Sequence, residues 1–569
     1  MSAAGSRAEL TARLTAPGQE FEVAEREVGG VPMRVYTRGP QTLRELVLNT
    51  TAFGDHDFLI YQDERRSFAE HLRLASELAR CLLDEYGLSH GDRVAVSMRN
   101  YPEWAPVFWA AQLAGLVVVP LNAWWSAPEL CYALTDSGAR LLVADAERTA
   151  LLAPRRDELG RIPLVEVRGA GRPAPGVRGW DELVDSLATH ADAGEPDVTV
   201  APDDDATILY TSGTTGRPKG AIGTHRNHCT NTRNMVLGAT VSAIFANGGT
   251  PPPPPDPDAP RPGTLCTFPF FHIAGINALC VTTALGARLA TLYKWDLEQA
   301  RELIRRERLT TASGVPTLMR QLVADGGGLD SLATIGMGGT SIPPDLIGRI
   351  DAEFGSLVAP GNGYGLTETT SAVATNTGAD YVARPDSVGR CVPGADVRVV
   401  DPATGADLPD GEVGELWFRG PNVVRGYWNN PAATEEAFTD GWFHSGDLGR
   451  VQDGWLYVVD RLKDVVIRGG ENIYCTEVEA ALFEHPAVAD VAVLGVPDAD
   501  YGERAVAVVV AENHATADEL RRHVAERLAA FKVPDHVIFR TEPLPRTQSG
   551  KVLKKDLRTE LTEGRPDGA

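Results

Sequence analysis

The sequence predicts an α/β protein built as a large domain followed by a small α+β one. The chain has 569 residues, more than one ordinary hydrophobic core supports. Short β-rich runs alternate with helical patterns along most of it, the signature of mainly parallel sheet. The composition shifts after "GWFHSGDLGR" (441–450), and the remainder, about 110 residues, has the size of a small domain. The expected division is therefore 1–461 and 462–569.

Each element has a local reason. "DRVAVSM" (92–98) reads as a buried strand, followed by a helical pattern from Trp104 to Leu113 and a second strand in "LVVVPL". Asp296 opens "DLEQARELIRRERL", where Leu297, Ala300, Leu303 and Ile304 share a helical face, and Asp296 with Gln299 reads as a capping box. "NGGTPPPPPDPDAPRPG" (247–263) is excluded from helix and interior strand, and reads as a surface insertion in preference to a docking motif. In the last segment, strands are expected at 488–497 and 505–512. A helix begins with the capping box Thr516–Glu519 and places Leu520, Val524 and Leu528 on one side.

Composition removes several function classes. A net charge of −23 argues against nucleic acid and anionic membrane surfaces as partners. An anionic ligand must then be captured by local cations and backbone amides. The seven cysteines form no CxxC pair, which predicts reduced thiols in a cytoplasm and no metal knuckle. The N-terminal "MSAAGSRAELTARL" has no apolar segment of a secretory signal. Pro106, Gln112, Gly115 and Pro120 interrupt the apolar stretch 104–121, so no integral membrane association is expected.

The most informative string is "YTSGTTGRPKG" (210–220). Ile208, Leu209 and Tyr210 end a strand that runs into a turn rich in Gly, Ser and Thr. Such a turn brings amides and hydroxyls onto one oxygen-rich ligand, and Lys219 adds charge, which is phosphate-holding chemistry. It is not a Walker loop, because Gly220 and not Ser or Thr follows Lys219.

With this string, five further segments appear in order: "FFHIAG" (270–275), "GNGYGLTETT" (361–370), "GWFHSGD" (441–447), "DRLKDVVIRGGENIYCTEVE" (460–479) and "LPRTQSGKVLKK" (544–555). Together they resemble the signatures of the adenylate-forming superfamily: acyl-CoA synthetases, luciferases and the adenylation domains of peptide synthetases. The pattern is most similar to bacterial fatty-acid or aryl-acid CoA ligases. The resemblance spans about Ser67 to Lys555. It implies a multilayered N-terminal domain with parallel sheets and a small barrel, and a mobile C-terminal domain that alternates between two poses.

The resemblance also implies the chemistry. A carboxylate attacks the α-phosphorus of ATP to give an acyl-adenylate and pyrophosphate, and the thiol of coenzyme A then displaces AMP. Such phosphoryl chemistry depends on positioning and charge neutralisation. By resemblance, Thr211, Ser212, Gly213, Thr214, Thr215, Gly216 and Lys219 hold phosphates. Asn362, Gly363, Tyr364 and Gly365 form the adenine side, with Tyr364 stacked on the base. Thr367 bonds a phosphate and Glu368 ligates Mg²⁺, an ion suited to hard oxygen donors. Asp447 and Arg461 grip the ribose, Lys463 is the hinge, and Gly469 and Gly470 leave room for the pantetheine arm. Lys551 reaches the charge developing at the α-phosphate, and His272 borders the carboxylate pocket without acting as a base.

The pocket segments implied by resemblance, "FFHIAGIN", "SGVP" and "GMGGTS", carry no Lys, Arg, Asp or Glu. Phe270, Phe271, Ile276, Met337 and Gly339 therefore point to a hydrophobic acid, aliphatic or aryl. The expected partners are this acid, ATP and coenzyme A, with a homodimer left open. Two alternatives stand beside this reading. One is a ligase that hands its adenylate to a carrier-protein thiol, an amine or nitrite. The other is a non-catalytic nucleotide-binding protein, which would need no residue such as Lys551.

Overall fold

A computed structural model describes residues 6–563 apart from 161, 172, 191–193, 212–216, 254–260, 325–326, 469–470, 499 and 548–550. Two large sheets dominate it. In a seven-stranded sheet, strands Val117–Pro120, Arg93–Ser97, Leu141–Asp145, Leu164–Val167 and Val177–Gly179 run parallel in register. Its opposite edge is an antiparallel hairpin, Asp205–Thr211 with Lys219–Thr224, in which Thr211 faces Lys219. In a nine-stranded sheet, six neighbours run parallel: Ala359–Leu366, Thr334–Gly338, Thr311–Gly314, Gly263–Cys266, Arg288–Thr291 and Asp57–Tyr61.

Helix Trp104–Leu113 is buried along its whole length. It packs with helices Phe68–Asp84 and Ile273–Leu285 into one core, which accounts for its apolar character all round. Among the described residues, no helix is long and apolar enough to cross a membrane. The helix expected at Asp296 spans Leu297–Glu307, with Ala300, Leu303 and Ile304 buried. Asp296 accepts from Gln299 N at 2.9 Å, but the reciprocal bond of a capping box is missing, so this end is capped by one side chain only.

An antiparallel five-stranded sheet spans Asp396–Val400 to Trp455–Arg461. A second five-stranded sheet is drawn only from 466–540, with Val488–Asp498 and Gly502–Ala511 as its long pair. These two strands are near-continuous apolar runs because both faces are covered. Val491, Val493, Ala505 and Ala507 face helices Cys475–Phe483 and Ala517–Ala525. Ala492, Leu494, Val506 and Val508 instead pack with Leu557 of helix Lys554–Glu563. The box at Thr516 and Glu519 forms in both directions. Leu528 lies beyond that helix yet still packs on the same core.

Candidate active site

Residues 267–272, Val315 and Gly339 follow the carboxyl ends of three adjacent parallel strands: Gly263–Cys266, Thr311–Gly314 and Thr334–Gly338. The crevice outside such ends is where open α/β sheets bind ligands. Strand Ala359–Leu366 carries the adjoining wall and turns back through 367–370 into Ser371–Thr377. Gly365 is obligatory in this hairpin, since a Cβ there would lie 1.8 Å from the Ser371 carbonyl oxygen. Thr370 and Ser371 both take positive φ in the tight return.

One group of side chains converges here from three segments. Tyr364 donates its hydroxyl to Asp447 Oδ2 at 2.7 Å. Arg461 Nε meets Asp447 Oδ1 at 2.6 Å across the antiparallel pair in which the two residues face each other. Asp447 is 3% exposed, so its two oxygens are held by one neutral and one cationic donor, the pattern a buried carboxylate requires. Burial alone would lower the Arg461 pKa, but Asp447 and Tyr364 outweigh it and the guanidinium is held more firmly charged.

Lys551 comes to the same place from the C-terminal segment. Thr547 N donates to Lys551 O at 2.7 Å, and Leu553 N donates to Pro545 O at 2.8 Å, so backbone bonds tie 551–553 to 545–547. Burial lowers its pKa to about 8, and nearby Arg461 and Lys463 add to the effect while Asp447 and Asp464 oppose it. A lysine so placed is destabilised as a cation until an anion arrives. Lys463 is exposed in a turn closed by Asp464 N donating to Arg461 O at 2.9 Å.

Glu368 is 9% exposed and accepts from Tyr427 Oη at 2.8 Å. Burial raises its pKa, and the Tyr427 bond only partly counters this. Among the described residues, no group of three or more His, Cys, Asp or Glu could hold a metal by itself. One hard carboxylate without a protein cage fits Mg²⁺, which keeps several waters and is bound largely through phosphates.

The remaining expected residues are distributed as follows. Ser212–Gly216 and Gly469–Gly470 lie outside the described residues. Thr211 and Lys219 face each other where strands Asp205–Thr211 and Lys219–Thr224 pair. Lys219 Nζ sits 5.4 Å from the Tyr427 ring centroid and 3.9 Å from the exposed Glu436 carboxylate. Asn362 and Gly363 pair with Asn376 and Thr375 along the hairpin strand, and Thr367 accepts from Thr370 N at 3.0 Å in its turn. His272 caps helix Ile273–Leu285 by accepting from Ala274 N at 3.3 Å, and burial lowers its pKa to about 4. It is neutral near pH 7 and its lone-pair nitrogen is engaged. Phe270 and Ile276 pack in one core and Met337 in another. Phe271 stands edge-on to Trp124, with ring centroids 4.9 Å apart. Gly339 is open, with φ +82°, and a Cβ there would stand 3.9 Å from both Phe268 and Val315.

Tyr427 and Asp460 join this group from positions that no sequence motif singles out. Tyr427 lies in "RGYWNNP" (425–431), a string with no charge pattern to mark it, although its aromatic pair beside a glycine was a usable signal. Asp460 immediately precedes Arg461 and was hidden by it.

Comparison with known proteins agrees with this geometry. The AMP-binding enzyme model matches residues 48–428, and the AMP-binding enzyme C-terminal domain model matches 477–551. A feruloyl-CoA synthase from Amycolatopsis sp is 38% identical over 505 residues, covering 86% of this chain and 93% of that protein. The long-chain-fatty-acid–CoA ligase FadD13 of Mycobacterium tuberculosis is 33% identical over 511 residues, covering 88% and 94%. The crystal structure of ATP-bound MatB from Rhodopseudomonas palustris superposes with a TM-score of 0.79 at 29% identity, covering 92% of this chain and 99% of that one. The chain belongs to the AMP-binding enzyme family and is an AMP-forming acid–thiol ligase of the acyl-CoA synthetase type. ATP, Mg²⁺ and coenzyme A are the cosubstrates and ion of this chemistry.

Proposed function

We propose that the protein activates a hydrophobic carboxylic acid with a flat aryl head and transfers it to coenzyme A. The observation that carries the aryl preference is the Gly339 position between Phe268 and Val315. A glycine flanked by apolar side chains lets a planar group lie against the backbone. The absence of charged side chains in 267–277, 313–316 and 336–341 supports the hydrophobic class, as does similarity to a feruloyl-CoA synthase.

In the first step, a carboxylate oxygen of the acid bonds to the α-phosphorus. The bond from that phosphorus to the bridging oxygen breaks, and pyrophosphate leaves. Lys551 neutralises charge developing there, and its depressed pKa lets it gain stabilisation as that charge forms. Asp447 and Arg461 hold the ribose, Tyr364 lies against the adenine, and Thr367 donates to a phosphate. Mg²⁺, when bound at Glu368, supplies charge neutralisation to the phosphates. In the second step, the thiolate of coenzyme A attacks the acyl carbon and AMP departs with the bonding pair. Neutral His272 lines the pocket and transfers no proton. The domain boundary falls between Arg461 and Leu462, with Lys463 as hinge, supported by the confinement of the last sheet to 466–540.

The proposal includes a cytoplasmic setting, supported by seven free cysteines. Assembly as a homodimer is to be measured by sedimentation. The test of function is AMP and thioester formation over a panel of cinnamic, benzoic, medium-chain and long-chain acids, with and without coenzyme A. Thioester formed fastest from aryl acids supports the reading. Long-chain acids as the best substrates remove the aryl preference, and adenylate without thioester removes the acceptor.

A further inference from the structure

Asp460 is the penultimate residue of strand Trp455–Arg461, which leads out of the large domain, and its carboxylate serves the small one. Helix Cys475–Phe483 starts at Tyr474 with no side-chain cap of its own. Asp460 Oδ2 supplies it, accepting from Cys475 N and, at 3.4 Å, from Thr476 N. The Thr476 hydroxyl donates back to Val459 O, and Cys475 Sγ donates to Asp464 O at 3.1 Å. Asp460 Oδ1 meanwhile accepts from Arg461 N at 2.7 Å. The carboxylate is 3% exposed, so these amides replace water for it.

The same helix holds the C-terminal segment that carries Lys551. Glu479, one turn along, pairs with Lys554 at 2.8 Å, both side chains 16% exposed, and its Oε1 also accepts from Val493 N at 2.8 Å. Lys554 begins the terminal helix three residues beyond Lys551. Lys554 also faces Asp460: burial pushes Asp460 up to about 6, and Lys554 pulls in the opposite direction. Asp460, helix Cys475–Phe483, Glu479, Lys554 and Lys551 thus form one connected path across the hinge.

We propose that Asp460 is a positioning residue for adenylation, latching the small domain in the orientation that carries Lys551 to Asp447 and Arg461. Asp460 precedes the hinge turn at 461–464 and its partners follow it. Rotation of the small domain about Lys463 therefore breaks the cap, and the latch acts in one pose only. This inference rests on the proposed assignment of Lys551 to the first step.

The test compares full-length wild type, Asp460→Asn, Lys554→Gln and Lys551→Ala in two assays. One is acid-dependent ATP–pyrophosphate exchange; the other is thioester formation from a supplied acyl-adenylate and coenzyme A. The expected result is exchange reduced about tenfold in Asp460→Asn, with thioester formation within about twofold of wild type. Lys554→Gln, which leaves the cap chemically intact, is expected to shift the ratio in the same direction and keeps the test available should Asp460→Asn not fold. Equal losses in both assays, or unchanged exchange, overturn the latch. If Lys551→Ala itself retains exchange, the assignment of Lys551 fails instead, and the two failures are told apart.

Discussion

Tyr427 holds Glu368: its hydroxyl donates to Glu368 Oε1 at 2.8 Å, joining the segment between strand Gly414–Arg419 and helix Pro431–Ala437 to the turn at 367–370. The carboxylate is buried and accepts this bond where its charge is poorly solvated. Removing the donor leaves that charge less well oriented. Tyr427→Phe is expected to raise the Mg²⁺ concentration giving half-maximal adenylation about 10- to 100-fold. A Mg²⁺ titration at saturating ATP measures this, and an unchanged midpoint would separate Tyr427 from the metal.

The position of Lys551 predicts a pH dependence. Its ammonium is charged below about pH 8 and is lost as pH rises through that value. kcat/KM for ATP reports the free enzyme, so it should fall on the alkaline side with a midpoint near 8. Bound phosphates favour the cation, so the corresponding limb of kcat should lie higher. His272, with a pKa of about 4, contributes no limb between pH 5 and 7. Profiles of both constants from pH 5 to 10 check these statements together.

Asp447 is expected to matter more than its neutral partner Tyr364. Asp447→Asn removes the counter-charge of Arg461 and one acceptor for the proposed ribose contact, and should weaken ATP capture about 10- to 100-fold. Tyr364→Phe deletes one neutral donor and should cost less. Equilibrium binding of ATP to the two variants, by calorimetry, gives the order directly.

Gly365→Ala tests the hairpin that carries the proposed adenine wall. The added methyl would start 1.8 Å from a backbone oxygen, which no rotamer can relieve. A loss of stability above about 3 kcal/mol is expected. Urea denaturation measures it, with Gly348→Ala as a control at a helical glycine whose Cβ would meet nothing within 4 Å.

Much of this arrangement was legible in the sequence. Helix Trp104–Leu113 and its following strand were readable because uniform burial leaves an uninterrupted apolar run. The box at Thr516 was readable because capping is local. Its counterpart at Asp296 closed in one direction only, since Gln299 is not bound to return the bond. The pocket was harder. Phe270, Ile276 and Met337 were expected at the substrate and pack in the two cores that flank the crevice, and apolar residue type alone does not separate pocket lining from core. Asp460 and Tyr427 act across 15 and 59 residues of chain respectively, and no local pattern encodes such partners.

Lys551 is proposed to serve the first chemical step and not the second. This assignment is tested most directly by measuring both half-reactions in Lys551→Ala, normalised to wild type in the same preparation. Pyrophosphate exchange is expected to fall about 100-fold or more, with thioester formation from supplied acyl-adenylate within a few-fold of wild type. Equal losses in the two half-reactions would contradict it.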